Sequence, residues 1–304
     1  MTVQVLLSTY NGEDYLRPQL ESLLAQDYPH LIVSARDDGS QDGTLALLQK
    51  YAAQSSQVTV IAGENRGAAR SFLHLVQCSS PTADYLAFCD QDDVWQRDKI
   101  SRAVEWLHRC PSEMPALYCS RVAIVDERLQ LIRYSDMPSK PLSFCNALVE
   151  SCLWGCTIVI NAAARHLLLR EVPQFLCMHD CWIYLVVSAF GTILYDAEPR
   201  ILYRRHDKNA SLIPLQASDR WRVQLYRFWW HGKQRLVTRQ AEEFLRIYGP
   251  IVLPQYRQIL ERFLHSQQRL WDRLRYALDC DVYHQSTLGH LMLRALIVLD
   301  RVYC

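Results

Sequence analysis

Three carboxylates fall within four positions at Asp90, Asp92 and Asp93, in the run Cys89-Asp90-Gln91-Asp92-Asp93-Val94-Trp95 that follows the apolar segment 85–88. Carboxylates this close repel one another unless a cation or a set of helix amides takes up the charge. Hard divalent ions such as Mg²⁺ and Mn²⁺ favour oxygen ligands of this kind, and a metal at the end of a strand points to phosphate chemistry. Asp is also a preferred helix cap, so Asp92 or Asp93 could instead start the helix that Asp98-Lys99-Ile100 continues. The run by itself is open to both readings.

A second carboxylate-rich turn reads Asp37-Asp38-Gly39-Ser40-Gln41-Asp42-Gly43-Thr44. A carboxylate at a strand end can accept the ring N3–H of uracil or thymine, and the glycines let the backbone turn tightly before the next helix. Asp38 is the residue read as the base contact. Asx-turn and capping chemistry is the other account of these residues, with Asp42 as the cap of a helix beginning near Thr44.

Both acidic turns need elements to position them. Strand-like runs at 4–8, 31–35, 58–62 and 85–88 alternate with helix-like segments at 15–26, 44–53 and 68–77. This β-α-β-α-β-α-β order predicts right-handed crossovers and a mostly parallel sheet, with ligands at the carboxyl ends of the strands. Thr9-Tyr10-Asn11-Gly12, the 36–40 turn, Gly63-Glu64-Asn65-Arg66-Gly67 and the 90–93 run all fall there. Beyond residue 101 the pattern mixes a helix near 101–109 with strands near 116–120, 122–126, 157–160 and 193–195, and a helix over 181–189. The Pro-containing stretch 137–141 reads as a mobile loop. From residue 218 onward the chain reads as helices, with a break at Pro250 and Pro254.

Half the chain is hydrophobic over 304 residues, which excludes disorder and suits one large domain with a helical appendage. The net charge of +1 hides an asymmetry: residues 1–199 carry 15 Lys/Arg against 23 Asp/Glu, and residues 200–304 carry 18 against 9. Trp221, Leu225, Phe228 and Trp229 recur at helical spacing in that basic third, with Trp230 beside them and Arg220, Arg222, Arg227, Lys233 and Arg235 around. A basic, aromatic-rich segment suits an anionic membrane surface or a lipid-linked substrate, and no nucleic-acid motif accompanies it. A solvated basic helix face accounts for the same residues. No apolar run reaches the length of about 20 uncharged residues that a bilayer span requires. The 11 cysteines lack CxxC pairing and read as reduced, mostly buried thiols. With Met1-Thr2-Val3 leading straight into a strand, the expected location is the cytoplasm.

Taken together, Ser8-Thr9-Tyr10-Asn11-Gly12, Asp37-Asp38-Gly39-Ser40 with Asp42-Gly43-Thr44, Asn65-Arg66-Gly67 and Asp90-Gln91-Asp92-Asp93-Val94-Trp95 resemble the inverting family 2 glycosyltransferases. The Gln-Asp-Asp-Val-Trp form is most similar to bacterial rhamnosyltransferases. The resemblance spans about residues 3–210 and implies a GT-A fold: α/β, Rossmann-like, a mostly parallel sheet flanked by helices, with a C-terminal helical extension. It implies a transferase domain over 1–210, nucleotide-sugar half 1–100 and acceptor half 101–210, followed by an extension over 211–304. The donor it implies is dTDP-β-L-rhamnose, or else a UDP-sugar. The acceptor is a surface glycan or glycolipid, and the enzyme would sit peripherally on the inner face of the cytoplasmic membrane. A non-catalytic nucleotide-sugar-binding component of a glycan assembly complex is the alternative of another class.

The resemblance also assigns roles. Asp90-Gln91-Asp92 takes the DxD part, with Asp92 on Mg²⁺ or Mn²⁺ and Asp90 toward the ribose and metal water shell. Thr9, Tyr10, Asn11, Asp38, Gln91, Arg66, Arg70 and Arg204 fall on the nucleotide-sugar side. Met178-His179-Asp180-Cys181-Trp182 resembles the acidic site that precedes an amphipathic helix, so Asp180 is the general base, unless it only caps that helix. His206, in Tyr203-Arg204-Arg205-His206-Asp207-Lys208-Asn209, reaches the metal or pyrophosphate. Trp154, Gly155 and Cys156 lie where the acceptor-side loop should be.

Overall fold

A computed structural model of the protein describes residues 1–207, 209 and 235–302. Strands β1 (Val3–Thr9), β2 (Leu31–Asp37), β3 (Val58–Ala62) and β4 (Tyr85–Cys89) are joined by helices α1 (Glu13–Leu24), α2 (Thr44–Gln54) and α3 (Ala68–Gln77). β1 pairs in parallel with β2 and β4, and β2 with β3. Helices cover both faces of this sheet, so its central strands read as continuous apolar runs, and β4 is buried at every position.

The parallel half continues into the second. Helix α4 (Lys99–Leu107) leads to β6 (Ala116–Ser120), and β9 (Val159–Asn161) wedges antiparallel between β4 and β6. The strand β10 (Thr192–Asp196) closes a seven-stranded sheet of order β10-β6-β9-β4-β1-β2-β3. The mostly parallel expectation therefore holds, with β9 as the exception. A second, four-stranded sheet of order β5-β11-β7-β8 combines β5 (Val94–Trp95), β7 (Ala123–Val125), β8 (Leu131–Tyr134) and β11 (Ile201–Arg204). It brings the end of the acidic run at Val94 against Leu202.

Between β8 and β9 lies the one-turn helix α5 (Phe144–Ala147), and α6 (Ala162–Leu168) and α7 (His179–Phe190) follow β9. The stretch 137–141, expected to be a mobile loop, is tied down, because the amides of Ser139 and Lys140 both donate to Gln285 Oε1. The C-terminal part forms α8 (Leu236–Tyr248), α9 (Pro254–Ser266), α10 (Leu270–Leu278) and α11 (Thr287–Val298). Pro254 stands at the head of α9, where its missing N–H leaves no bond unmade. Val237, Ala241, Phe244 and Tyr248 make one buried face of α8. On that face Phe244 packs 5.4 Å from Phe144 and 6.4 Å from Trp182, centroid to centroid, so the extension shares the core of the sheet domain. Trp221, Phe228, Trp229 and Trp230, on which the membrane expectation rested, lie outside the described residues. No helix among the described residues is long and apolar enough to cross a membrane.

Candidate active site

The carboxyl ends of β1, β2 and β4 meet in one crevice, and hydrogen bonds fasten their loops together. Asn11, at φ 47°, donates its amide to Ser40 Oγ at 2.9 Å and accepts the Gln41 amide at 2.8 Å. Thr9 Oγ1 reaches Asp37 Oδ1 at 3.2 Å. Gln91 grips the backbone of Tyr10 at two points, accepting its N–H at 2.8 Å and donating to its carbonyl at 3.0 Å. This makes Gln91 a clip between the first loop and the acidic run, with the Tyr10 ring left exposed. A cavity of about 180 Å³ opens beside the clip, between the Tyr10–Gly12 turn, Tyr15 and His206.

Asp38 and Arg70, both expected on the nucleotide-sugar side, have partners within the protein. Asp38, read as a base contact, is buried and paired with Arg36, and its oxygens accept the amides of Arg66 and Gly67. It therefore braces the 63–67 turn, where Gly67 sits at φ 78°. The neighbouring Asp37 carries the Ser40 bonds at 2.9 and 2.6 Å instead. Arg70, read as a diphosphate ligand, directs its guanidinium to the carbonyls of Pro173 and Gln174 and so ties α3 to the chain before α7. The Arg66 side chain remains exposed.

The acidic run is held from the other side by β11 and the turn after it. Asp92 Oδ2 lies 2.9 Å from His206 Nε2 and 3.3 Å from Asn209 Nδ2. Arg204 Nε donates to the Asp92 carbonyl at 3.0 Å, and the Arg204 amide to Asp93 Oδ1 at 3.2 Å. Tyr15 stacks on His206 at 4.2 Å and lies 5.2 Å from the Arg204 guanidinium, which fixes both groups. Asp90 is half-buried, and its carboxyl is pushed up to about 7 by burial first, then by the charges of Asp92 and Asp180.

Asp93 is fully buried and pushed well above the usual carboxylate range by burial and by Asp92 and Asp90. One ligand atom each of Asp90, Asp93 and Cys156 lies within 4.8 Å of the others. Cys156, read as an acceptor-side residue, thus sits beneath the acidic run, buried, with its thiol hydrogen-bonded to Asp93 and pushed up first by burial. A protonated thiol is a poor ligand for a hard ion, which leaves the carboxylates of Asp90 and Asp93 as the oxygen donors of this group. The like charges that raise Asp90 are those a divalent cation there would neutralise.

Asp180 faces this group from the first turn of α7. The helix starts at His179 with Met178 as its cap residue, so Asp180 is not the cap. Its Oδ1 accepts the Cys181 amide at 2.9 Å and its Oδ2 the Ser151 hydroxyl at 3.4 Å. Gly155 closes on it: a Cβ there would stand 3.3 Å from the Asp180 Cβ and 2.9 Å from His179 Nε2. Trp154 packs edge-on against Tyr203 at 4.9 Å. His179 does not orient Asp180. It is stacked 3.9 Å from Phe72 and lowered to about 4, chiefly by burial, so it packs as a neutral ring.

A parallel α/β sheet with an acidic strand-end loop and a carboxylate facing it from a helix is the layout of a GT-A glycosyltransferase. A sequence profile described as "Glycosyl transferase family 2" matches residues 4–172, and the chain belongs to that family. The protein is a glycosyltransferase. It is 28% identical over 247 residues to the dTDP-rhamnosyl transferase RfbG of Shigella flexneri, covering 75% of this chain and 81% of that one. It is 34% identical over 106 residues to the putative teichuronic acid biosynthesis glycosyltransferase TuaG of Bacillus subtilis, covering 34% of this chain and 41% of that one. Among solved structures, S. aureus TarS 1-349 in complex with UDP-GlcNAc shares the fold, with a TM-score of 0.60, 16% identity, and 92% and 76% of the two chains covered. The mannosyltransferase PcManGT from Pyrobaculum calidifontis, in complex with GDP-Man and Mn²⁺, shares it with a TM-score of 0.55, 17% identity, and 98% and 85% covered.

Proposed function

We propose that the protein is a metal-dependent, inverting transferase that moves L-rhamnose from dTDP-β-L-rhamnose onto a bacterial surface glycan such as a lipopolysaccharide core or O-antigen. The observation that carries this reading is the facing of Asp180 and the Asp90–Asp92 pair across one crevice, close enough that Asp92 and Asp180 both raise Asp90. The dTDP-rhamnosyl relative supports the donor, and the Mn²⁺-containing fold neighbour supports the metal.

In this reading Thr9, Tyr10 and Asn11 receive the nucleoside, Arg66 meets the diphosphate, and Asp90 and Asp92, with His206, hold the ion. A bound Mg²⁺ or Mn²⁺ supplies Lewis-acid stabilisation of the departing diphosphate. The acceptor hydroxyl enters beside Gly155 and attacks the anomeric carbon from the face opposite the diphosphate. Asp180 takes its proton as the new C–O bond forms and the bond to the diphosphate oxygen breaks. Arg204 fixes the acidic loop from below.

Residues 1–210 form the transferase and 211–304 its extension, which meets the anionic inner face of the membrane. Trp271, Leu278, Leu288 and Leu291 are exposed on α10 and α11, with the cations Arg269 and Arg275 exposed beside Trp271. Binding to anionic liposomes that weakens with salt is the expected outcome, and failure to bind at low salt contradicts this part. The catalytic reading is tested by Asp180→Asn. It should leave donor binding intact and lower transfer by about 10²–10⁴-fold. Transfer at the wild-type rate would remove Asp180 from the mechanism.

A further inference from the structure

The turn between α10 and α11 is fastened to the chain that leads into the acceptor side of the crevice. Glu150 is the centre of this junction. Its Oε2 accepts the Gln285 amide at 2.8 Å and the Asn146 side-chain amide at 2.8 Å, and its Oε1 lies 3.0 Å from His284 Nε2. Gln285 Nε2 in turn donates to Asn146 Oδ1 at 3.2 Å, and Asn146 Nδ2 to the Tyr283 carbonyl at 3.0 Å. Gln285 Oε1 takes the amides of Ser139 and Lys140 at 3.0 and 2.8 Å, and the Tyr283 hydroxyl donates to the Pro141 carbonyl at 2.6 Å. The residue after Glu150 is Ser151, whose hydroxyl reaches Asp180 Oδ2 at 3.4 Å, and four positions further Gly155 packs on Asp180.

We propose that Glu150, held by His284 and Gln285 of the C-terminal extension, is a positioning residue for the acceptor side, and that the extension completes the loop over 150–157 against Asp180. A carboxylate with three donors converging on it is a strong local restraint, because charge-assisted bonds are about twice as strong as neutral ones. Among the described residues its other bonds include Ser151 to Asp180, Cys152 to Asn146 and to Tyr184, the Glu150 amide to the Asn146 carbonyl, Thr157 to the Trp154 carbonyl within the short 3₁₀ turn of Gly155–Thr157, and Cys156 to Asp93. Cys152 is bound to the same Asn146 that Glu150, Gln285 and the Tyr184 hydroxyl hold, so the carboxylate restrains the loop both directly and through this residue. On the donor side the β1, β2 and acidic loops are bonded to one another, and of the ties named here only Cys156 to Asp93 reaches them. The functional part of the proposal rests on Asp180 acting as base.

The test compares Glu150→Ala with Glu150→Gln in the full chain. Glu150→Gln keeps one oxygen to accept the Gln285 and Asn146 donors. Amide hydrogen exchange of Glu150→Ala should be about tenfold or more faster over 149–157, with 85–95 unchanged and near wild-type rates restored in Glu150→Gln. Unchanged exchange over 149–157 in Glu150→Ala overturns the proposal, whatever the enzyme's donor turns out to be. With a donor and acceptor in hand, Glu150→Ala should raise the acceptor KM or lower transfer by about tenfold or more, while donor hydrolysis and donor affinity stay within about twofold. Equal losses in hydrolysis and transfer would mark a general folding defect and also overturn it. Should exchange respond as expected while Asp180→Asn leaves transfer intact, the junction stands and the base assignment falls.

Discussion

Asp90→Asn should stabilise the protein in the absence of divalent metal, by an amount that grows as the pH rises above about 4 and is complete above about 7. The half-buried Asp90 carboxyl is pushed from 3.8 to about 7 by burial and by the charges of Asp92 and Asp180. A group whose folded pKa lies above its unfolded value binds its proton more tightly in the native state. Its ionisation therefore destabilises the fold progressively as the pH climbs from the unfolded value, fully so above about 7. A shift of this size corresponds to at most about 4 kcal/mol, and partial solvent screening reduces it to about 1–2 kcal/mol. Asparagine removes that charge, so thermal unfolding in EDTA at pH 8 should occur about 2–5 °C higher in the variant. The gain should disappear near pH 4, where both proteins are neutral at this position. Adding Mn²⁺ should reverse the order, because the ion stabilises only the protein that binds it. A variant no more stable than wild type at pH 8, or a gain that persists at pH 4, would refute the electrostatic account of the acidic run.

Other substitutions probe the contacts of residues around the crevice. Asp38→Asn breaks a buried pair and leaves Arg36 uncompensated, so urea unfolding should show a loss of about 3–5 kcal/mol. Gly155→Ala places a methyl 2.9 Å from His179 Nε2, and kinetics should show transfer falling at least about tenfold with donor affinity within about twofold. Tyr15→Leu removes the ring on which His206 stacks, and titration calorimetry should show Mn²⁺ affinity reduced about tenfold, in the range seen when groups supporting a metal ligand are removed.

Much of the sheet domain was legible because its periodicity and turns agree. The expected strand at 58–62 and helix at 68–77 coincide with β3 and α3, and the other early elements shift at their ends by a few residues. β5, β8 and β11 were missed, since a two-residue bridge and a four-residue, largely exposed strand such as Leu131–Tyr134 carry little pattern of their own. Motif spacing located the acidic run but could not assign its neighbours. Asp37 and Asp38 are indistinguishable in sequence, and only the fold shows Arg36 closing on Asp38. The partners of Arg70 and Cys156 were not legible for a related reason, because side-chain direction depends on what α3 and the 3₁₀ turn of Gly155–Thr157 pack against. Tyr15 gave no signal beyond an aromatic near a helix start. Asn209 stood in a recognised run, but its bond to Asp92 joins residues more than a hundred positions apart. The Glu150 junction is equally non-local and could not be read from the chain.

The central claim is most directly tested by donor binding and hydrolysis with Mn²⁺ and Mg²⁺ against dTDP-rhamnose, UDP-glucose, UDP-galactose and UDP-N-acetylglucosamine, repeated with Asp92→Ala. The expected result is metal-dependent turnover selective for dTDP-rhamnose in wild type and its loss in the variant. Selectivity for a UDP-sugar would keep the chemistry and overturn the rhamnose assignment. Turnover that ignores the metal and survives Asp92→Ala would contradict the account of the site.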